Sequence, residues 1–285
     1  MNVSFVVSKA RGPNGRLLVL GSRSQTISNH VVSVDYLDLG NAAQRWVRER
    51  HPGDANAFVL KNVGLNQWLF VGREDPNMPS HSRIRSALLH WKPPGQPYSA
   101  GMYWYDDRVP GPYNALASRD DWEIKLNIMG DPGTYTQGTN VIGHKWDGGA
   151  VNELWRFWPE IRVPAIGDRV LLTNFEFIVQ LGARPDGSIY MHTNQDAWER
   201  WTVEDAGGGA RFLRSAHGTY LGSRGDGSVY TTQNRDAWER WTIFFDDGIR
   251  IRSAQWGLHL GSRPDGSIYT HANCREWERW WTPAS

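Results

Sequence analysis

Chemistry in this chain would have to come from nine histidines, 30 acidic residues and a single cysteine, Cys274. Their spacing does not support it. No HExxH pair sets two histidines on one helix face for zinc, and the remaining histidines show no ligand spacing. There is no GxSxG elbow, no GKS or GKT loop and no GxGxxG opening a helix. Cys274 follows His271 by three residues, but two related stretches hold Asn194-Gln195 and Asn234-Arg235 at the corresponding places, so no nucleophile pair is built. The carboxylate pairs Asp120-Asp121 and Asp246-Asp247 fall in turns, whereas a glycosidase sets two carboxyl groups across a bond. The expectation is a protein that is not an enzyme and holds no metal or cofactor. Binding is the chemistry the residue types favour. A sugar is a polar ring with one apolar face, and a shallow site for it wants an aromatic platform and a few fixed amides or carboxylates. The 16 tryptophans can supply platforms, although a barrel core uses them as well.

These side chains must be positioned by repeats. Residues 179–202 read VQLGARPDGSIYMHTNQDAWERWT, 219–242 read TYLGSRGDGSVYTTQNRDAWERWT, and 258–282 read LHLGSRPDGSIYTHANCREWERWWT. The first tryptophan of each WERW falls at Trp198, Trp238 and Trp277. A period of that length marks one supersecondary unit that cannot bury its apolar face alone. Each copy carries Asp-Gly, a source of the positive φ a tight hairpin turn needs, between two short alternating runs. No stretch of it has a sustained helical period. Three such units fit a β-trefoil, a capped barrel of three four-stranded repeats, whereas a propeller needs more blades. Trp201, Trp241 and Trp280 are expected in the core layers, and Glu199, Glu239 and Glu278 in structural pairs or solvated charge. This part of the chain resembles the fascin-like trefoil repeat.

The first half is a diverged form of the same idea. Gln44-Arg45-Trp46 is a QxW triplet, and residues 138–155 read GTNVIGHKWDGGAVNELW. That segment resembles the QxW-bearing repeat of ricin-B-type lectin trefoils, particularly mushroom agglutinins. The middle repeat, about 57–110, shows no clean QxW and reads as carrying an insertion around residues 73–100. The stretch 161–168 (IRVPAIGD) is punctuated by Pro and Gly. The fold class expected is therefore all-β, two β-trefoil domains in tandem, with a ricin-B-like domain over 1–163 and a fascin-like domain over 164–285. One six-bladed propeller is the rival architecture.

The resemblance implies a site. In ricin-B-type lectins the sugar meets an acidic or amide residue, an aromatic platform and an Asn just before the QxW triplet. Carried onto this chain, the third repeat supplies Asn127, His144 or Trp146, and Asn152. It departs from the family in having Asn127 where Asp is usual and Glu153 where the triplet has Gln. The first repeat matches worse, with Val19 and Ala43 in the two polar places. In the second domain, His217 and Trp256 lie in equivalent hairpins, and Trp256 is unlike its counterparts, so both are further binding candidates.

Net charge is +1, with 31 basic and 30 acidic residues. Nucleic-acid binding wants a basic face and is not expected. No run approaches the length of a membrane-spanning helix, so membrane insertion is not expected either. One cysteine excludes an internal disulfide framework. The N-terminus shows no apolar signal segment, which suits a leaderless cytoplasmic protein. The function the resemblance implies is that of a lectin for glycans of galactose or N-acetylgalactosamine type, similar to fungal defence proteins, with a homodimer as a possible assembly. The alternative reading is an actin-binding or protein-binding trefoil, including a protease inhibitor acting through residues 73–100.

Overall fold

A computed structural model describes residues 3–22, 30–74, 85–109, 112–146, 148–159 and 161–282. The chain forms two compact units, residues 1–160 and 161–285. In the first, the described residues form three four-stranded repeats. The first repeat holds β1 (Val3–Arg11), β2 (Leu17–Ser22), β3 (His30–Tyr36) and β4 (Arg45–His51). The second holds β5 (Asp54–Asn62), β6 (Gln67–Glu74), β7 (Arg85–His90) and β8 (Tyr103–Arg108). The third holds β9 (Asn114–Ser118), β10 (Ile124–Ile128), β11 (Val141–Lys145) and β12 (Leu154–Pro159). The outer strands of each repeat pair around a closed ring, β1–β4–β5–β8–β9–β12 and back to β1, every pair antiparallel. The inner strands form three hairpins, β2–β3, β6–β7 and β10–β11. Contacts between hairpins, β3–β7, β7–β11 and the bridge Ser33–Asn140, cap one end of the ring. A closed six-stranded barrel capped by a hairpin triplet is a β-trefoil, and closure removes the open edges a propeller blade would leave.

The second unit repeats the plan. Its first strand is broken into β13 (Arg169–Leu171) and β14 (Thr173–Asn174), followed by β15 (Gln180–Ala183), β16 (Ile189–His192) and β17 (Arg200–Gly207). Then come β18 (Ala210–Arg214), β19 (Tyr220–Ser223), β20 (Val229–Thr232) and β21 (Trp241–Phe245). The last repeat has β22 (Ile249–Ser253), β23 (His259–Ser262), β24 (Ile268–His271) and β25 (Trp280–Trp281). The ring runs β13–β17–β18–β21–β22–β25 and closes on β14. The hairpins meet at their tips, where Thr231 Oγ1 donates to Gly187 O (2.7 Å) and Thr270 N–H donates to Gly227 O (2.8 Å). Arg162 is held by this unit: it pairs with Asp168 at 2.5 Å, and its carbonyl accepts from Thr282 Oγ1 at 2.9 Å.

One anchor recurs in all six repeats. Trp46, Trp104, Trp155, Trp201, Trp241 and Trp280 are fully buried. Each indole N–H donates to a leucine carbonyl on its own repeat's first hairpin strand: Leu20 (2.9 Å), Leu69 (3.5 Å), Leu126 (2.8 Å), Leu181 (2.8 Å), Leu221 (2.9 Å) and Leu260 (2.8 Å). A buried tryptophan fills the barrel with a large apolar surface but must place its one donor, and the strand carbonyl receives it. Just before each of these tryptophans lies a single 3-10 turn: Ala42–Gln44, Ala100–Met102, Val151–Glu153, Ala197–Glu199, Ala237–Glu239 and Glu276–Glu278. The middle repeat of the first unit thus carries the motif as Met102-Tyr103-Trp104. Met102 packs with Val59, Trp68 and Tyr103, an apolar solution that needs no amide there. The stretch 73–100 is not wholly an insertion, because it contains the hairpin strand β7; residues 75–84 of it lie outside the described residues.

The Asp-Gly segments turn the hairpins of the second unit. Gly187, Gly227 and Gly266 have φ of 86°, 90° and 81°. The loops have three residues rather than two: Arg184 N–H donates to Ser188 O (2.8 Å) and Gly187 N–H to Arg184 O (3.0 Å), and the other two repeats match. Glycine takes the left-handed place at the end of such a loop. The aspartate stays at negative φ and accepts from the serine beyond it, as in Ser188 N–H to Asp186 Oδ1 at 2.9 Å.

Candidate functional site

Glu153 ends the 3-10 turn of the third repeat and is fully buried. A buried carboxyl group must be hydrogen-bonded. Its Oε1 accepts from Asn127 Nδ2 at 3.2 Å and its Oε2 from Gly149 N–H at 3.2 Å. Asn127 follows Leu126, whose carbonyl holds the core indole, so the barrel anchor fixes the position of this amide. Asn152 Nδ2 in turn donates to Asn127 Oδ1 (2.7 Å) and to Ile128 O (3.2 Å). Asn152 Oδ1 is buried with no hydrogen-bond partner. Asn127 and Glu153 stand where the ricin-B-type pattern has Asp and Gln, and the two are complementary: the amide is on β10 and the carboxyl group on the turn.

These groups line an open recess of about 440 Å³ with His144, Met129, Pro132 and Ile142. The structure therefore brings together Asn127, His144 and Asn152. It does not bring Trp146 to them. The Trp146 indole packs on the cluster of Tyr113, Ala115 and Leu154, with Lys125 Nζ 5.6 Å from its ring. Lys125 is itself buried and tied to Asp107 at 2.8 Å. Trp146 is drawn to this side by an apolar patch below the hairpin, which its spacing alone does not reveal.

The first two repeats lack the amide pair. The residue corresponding to Asn127 in the first repeat is Gly21, after Leu20, and not Val19; Ala43 stands where Asn152 does. In the second repeat the pair is Phe70 and Gly101. A Cβ on Gly101 would lie 2.7 Å from the Phe70 ring, so that ring occupies the place of the recess.

No family model matches the sequence, and no curated protein matches it. Among solved structures, the chain is similar to a mosquitocidal holotoxin, with 11% identity and a TM-score of 0.46, covering 100% of this chain and 34% of that one. It thus spans about a third of the holotoxin chain. It is also similar to ThreeFoil, a designed 3-fold symmetric protein, with 17% identity and a TM-score of 0.43, covering 55% of this chain and 97% of that one. The trefoil assignment rests on the strand pairing above.

In the second unit the corresponding buried groups are Glu199, Glu239 and Glu278. Here tyrosine replaces the Asn127 amide as donor. Tyr190 and Tyr269 donate through their hydroxyls to Glu199 and Glu278, and Tyr230 donates to Glu239 at 2.7 Å. The other carboxyl oxygen accepts a backbone N–H, from Asp196 (3.0 Å), Asp236 (2.9 Å) and Arg275 (2.9 Å). Burial, and then the bond to the glutamate, push all three tyrosine hydroxyls well above the ordinary value. A guanidinium covers each ring: Arg184, Arg224 and Arg263 stand 4.6, 4.5 and 4.4 Å from the centroids.

The two second-domain candidates lie beside the first tryptophans of the WERW segments. His217 makes an edge contact with Trp198, centroids 5.2 Å apart. Trp256 lies 5.8 Å from Trp238, donates from Nε1 to Ser223 O at 3.0 Å and covers Gly225. Trp198, Trp238 and Trp277 are 44%, 44% and 40% exposed. The signal for them is in WERW itself, which has two tryptophans where the barrel uses one.

Proposed function

We propose that this protein is a glycan-binding protein, a lectin, acting by reversible contact and without covalent chemistry. The observation that carries the reading is the Asn152–Asn127–Glu153 chain, which fixes two amides at the lining of an open recess beside His144. The amide groups fix hydroxyl orientation, His144 and Met129 give the recess its less polar wall, and Glu153 serves as the internal support that holds Asn127. The resemblance of the third repeat to ricin-B-type agglutinins supports a galactose or N-acetylgalactosamine ligand.

A glycan array probed with the full chain is expected to select galactose-type structures, and titration calorimetry with methyl β-galactoside to give a dissociation constant. Asn152→Ala should weaken that binding by roughly fivefold or more, the value of one hydrogen bond of about 1 kcal/mol, and should lower the melting temperature modestly, because Asn127 Oδ1 loses its donor. Trp146→Ala should leave it unaltered. Full affinity in an Asn127→Ala/Asn152→Ala variant would overturn the assignment.

A further inference from the structure

We propose that the second unit holds three sugar subsites of its own, one in each repeat, each walled by one of the exposed tryptophans Trp198, Trp238 and Trp277. The proposal rests on the reading of the chain as a glycan binder but uses none of the residues of the first-unit recess.

The position does not need a tryptophan. Trp198, Trp238 and Trp277 immediately precede the buried Glu199, Glu239 and Glu278. At the same place the first unit has Ala43, Gly101 and Asn152, and it closes the same barrel with them. In the second unit the core packing is done by other tryptophans, Trp201, Trp241 and Trp280. An indole kept about 40% exposed in three successive repeats therefore answers to something outside the barrel.

Each indole forms one wall of a recess, of about 320 Å³ at Trp198, about 600 Å³ at Trp238 and about 440 Å³ at Trp277. Tyr190, Tyr230 or Tyr269 lines the same recess, held by its glutamate and covered by its arginine. This geometry depends on Gly182, Gly222 and Gly261: a Cβ there would lie 2.4, 2.7 and 2.7 Å from the tyrosine Cζ. The indoles are braced as well, by His217, Trp256 and Phe177 from the turn of another repeat, at 5.2, 5.8 and 6.0 Å. Both rings are set before a ligand arrives, so little side-chain entropy is lost on binding.

The rim is polar. Asn194, Asn234 and Asn273 line the three recesses at equivalent places, with Asp196 and Asp236 in two and Arg275 in the third. A wholly apolar ligand would desolvate these groups without replacing their water. A ligand with one apolar face and hydroxyls around its edge satisfies wall and rim together, and a pyranose ring is such a ligand.

The test uses the full chain carrying Asn127→Ala and Asn152→Ala, which silence the first-unit recess. Methyl β-galactoside, methyl α-mannoside and N-acetylglucosamine are screened by saturation-transfer NMR, and any binder is titrated by calorimetry. Binding is expected to persist with one ring per recess. Trp198→Ala, Trp238→Ala and Trp277→Ala should each lower the stoichiometry by one site, and the triple variant should abolish binding with a native thermal melt. If the triple variant does not fold, joint replacement of the exposed Asn194, Asn234 and Asn273 by Ala decides the matter, with an expected loss of roughly fivefold or more in affinity. Absence of binding by all three sugars in the silenced background, while the parent chain binds, overturns this proposal and leaves the first-unit site standing. Undiminished binding in the folded triple variant, or in the Asn variant, also overturns it. Binding that vanishes with the tryptophans but ignores Asn127 and Asn152 sinks the first-unit site instead.

Discussion

At the residue scale, one buried carboxyl group is supported in two ways. Glu153 takes an amide from Asn127, whereas Glu199, Glu239 and Glu278 take a tyrosine hydroxyl. The first arrangement makes a swap testable. Asn127→Asp removes the donor and sets a second carboxyl group against Glu153, so the melting temperature should fall, by the equivalent of about 1–3 kcal/mol for an unmet buried polar group, and sugar binding with it. Asn127→Asp combined with Glu153→Gln restores the donor from the other side and should recover most of the loss. A double variant no more stable than the single one would show that the pair is not coupled. The second arrangement predicts a pH dependence. The folded-state tyrosine hydroxyls are raised above the ordinary 10.0. The folded state then binds the more protons above that value, so the stabilisation is complete below pH 10.0 and is lost as pH climbs toward the raised folded values. Absorbance titration near 295 nm should show these three tyrosines ionising late, along with Tyr98 and Tyr135 of the first unit, which burial also raises, and the second unit's melting temperature should fall over the same range; Tyr190→Phe should remove one late ioniser. Ionisation of all tyrosines together near the ordinary value would refute this.

At the element scale, the turn before each core tryptophan carries both packing and site. Trp155→Ala should cost several kcal/mol, roughly 3–5 for a large buried aromatic, whereas Asn152→Ala three residues earlier should cost less, about 1–3 kcal/mol for the Asn127 acceptor it leaves unmet. Gly182→Ala should also destabilise, by roughly 1–3 kcal/mol for overpacking, because its Cβ would meet the Tyr190 ring. Thermal melts of the three variants check this order, and an unaffected Gly182→Ala would mean the ring has room to move. What the sequence reveals follows from these constraints. The repeated DG turns and WERW gave the hairpins and the core tryptophans, because period and turn chemistry are local properties. Met102-Tyr103-Trp104 is not legible as the motif because an apolar packing solution replaces the expected amide. Trp146 was misplaced because its direction is set by Tyr113 and Leu154, distant in sequence. Trp198, Trp238 and Trp277 served only to measure the period, since exact repetition looks like a demand of the core until the first unit shows the position free.

At the scale of the whole molecule, two barrels each close on their own strands. The first ring ends where it begins, at β12 on β1, and the second at β25 on β14. Each has its own trio of buried tryptophans bonded to leucine carbonyls within the same repeats. Among the described residues, no ring strand is borrowed across residue 160. A unit that satisfies its own backbone groups and encloses its own core should fold alone. Residues 1–160 and 161–285 made separately are therefore each expected to melt cooperatively and to give β-rich circular dichroism with little helix. The division should begin the second fragment at Ile161 rather than at Pro164, because Arg162 holds Asp168 and receives Thr282; a fragment beginning at Pro164 should melt lower. If neither fragment folds while the full chain melts in a single step, closure of each barrel on its own strands is not enough for independent stability, and the two units need one another in a way their internal pairing does not disclose.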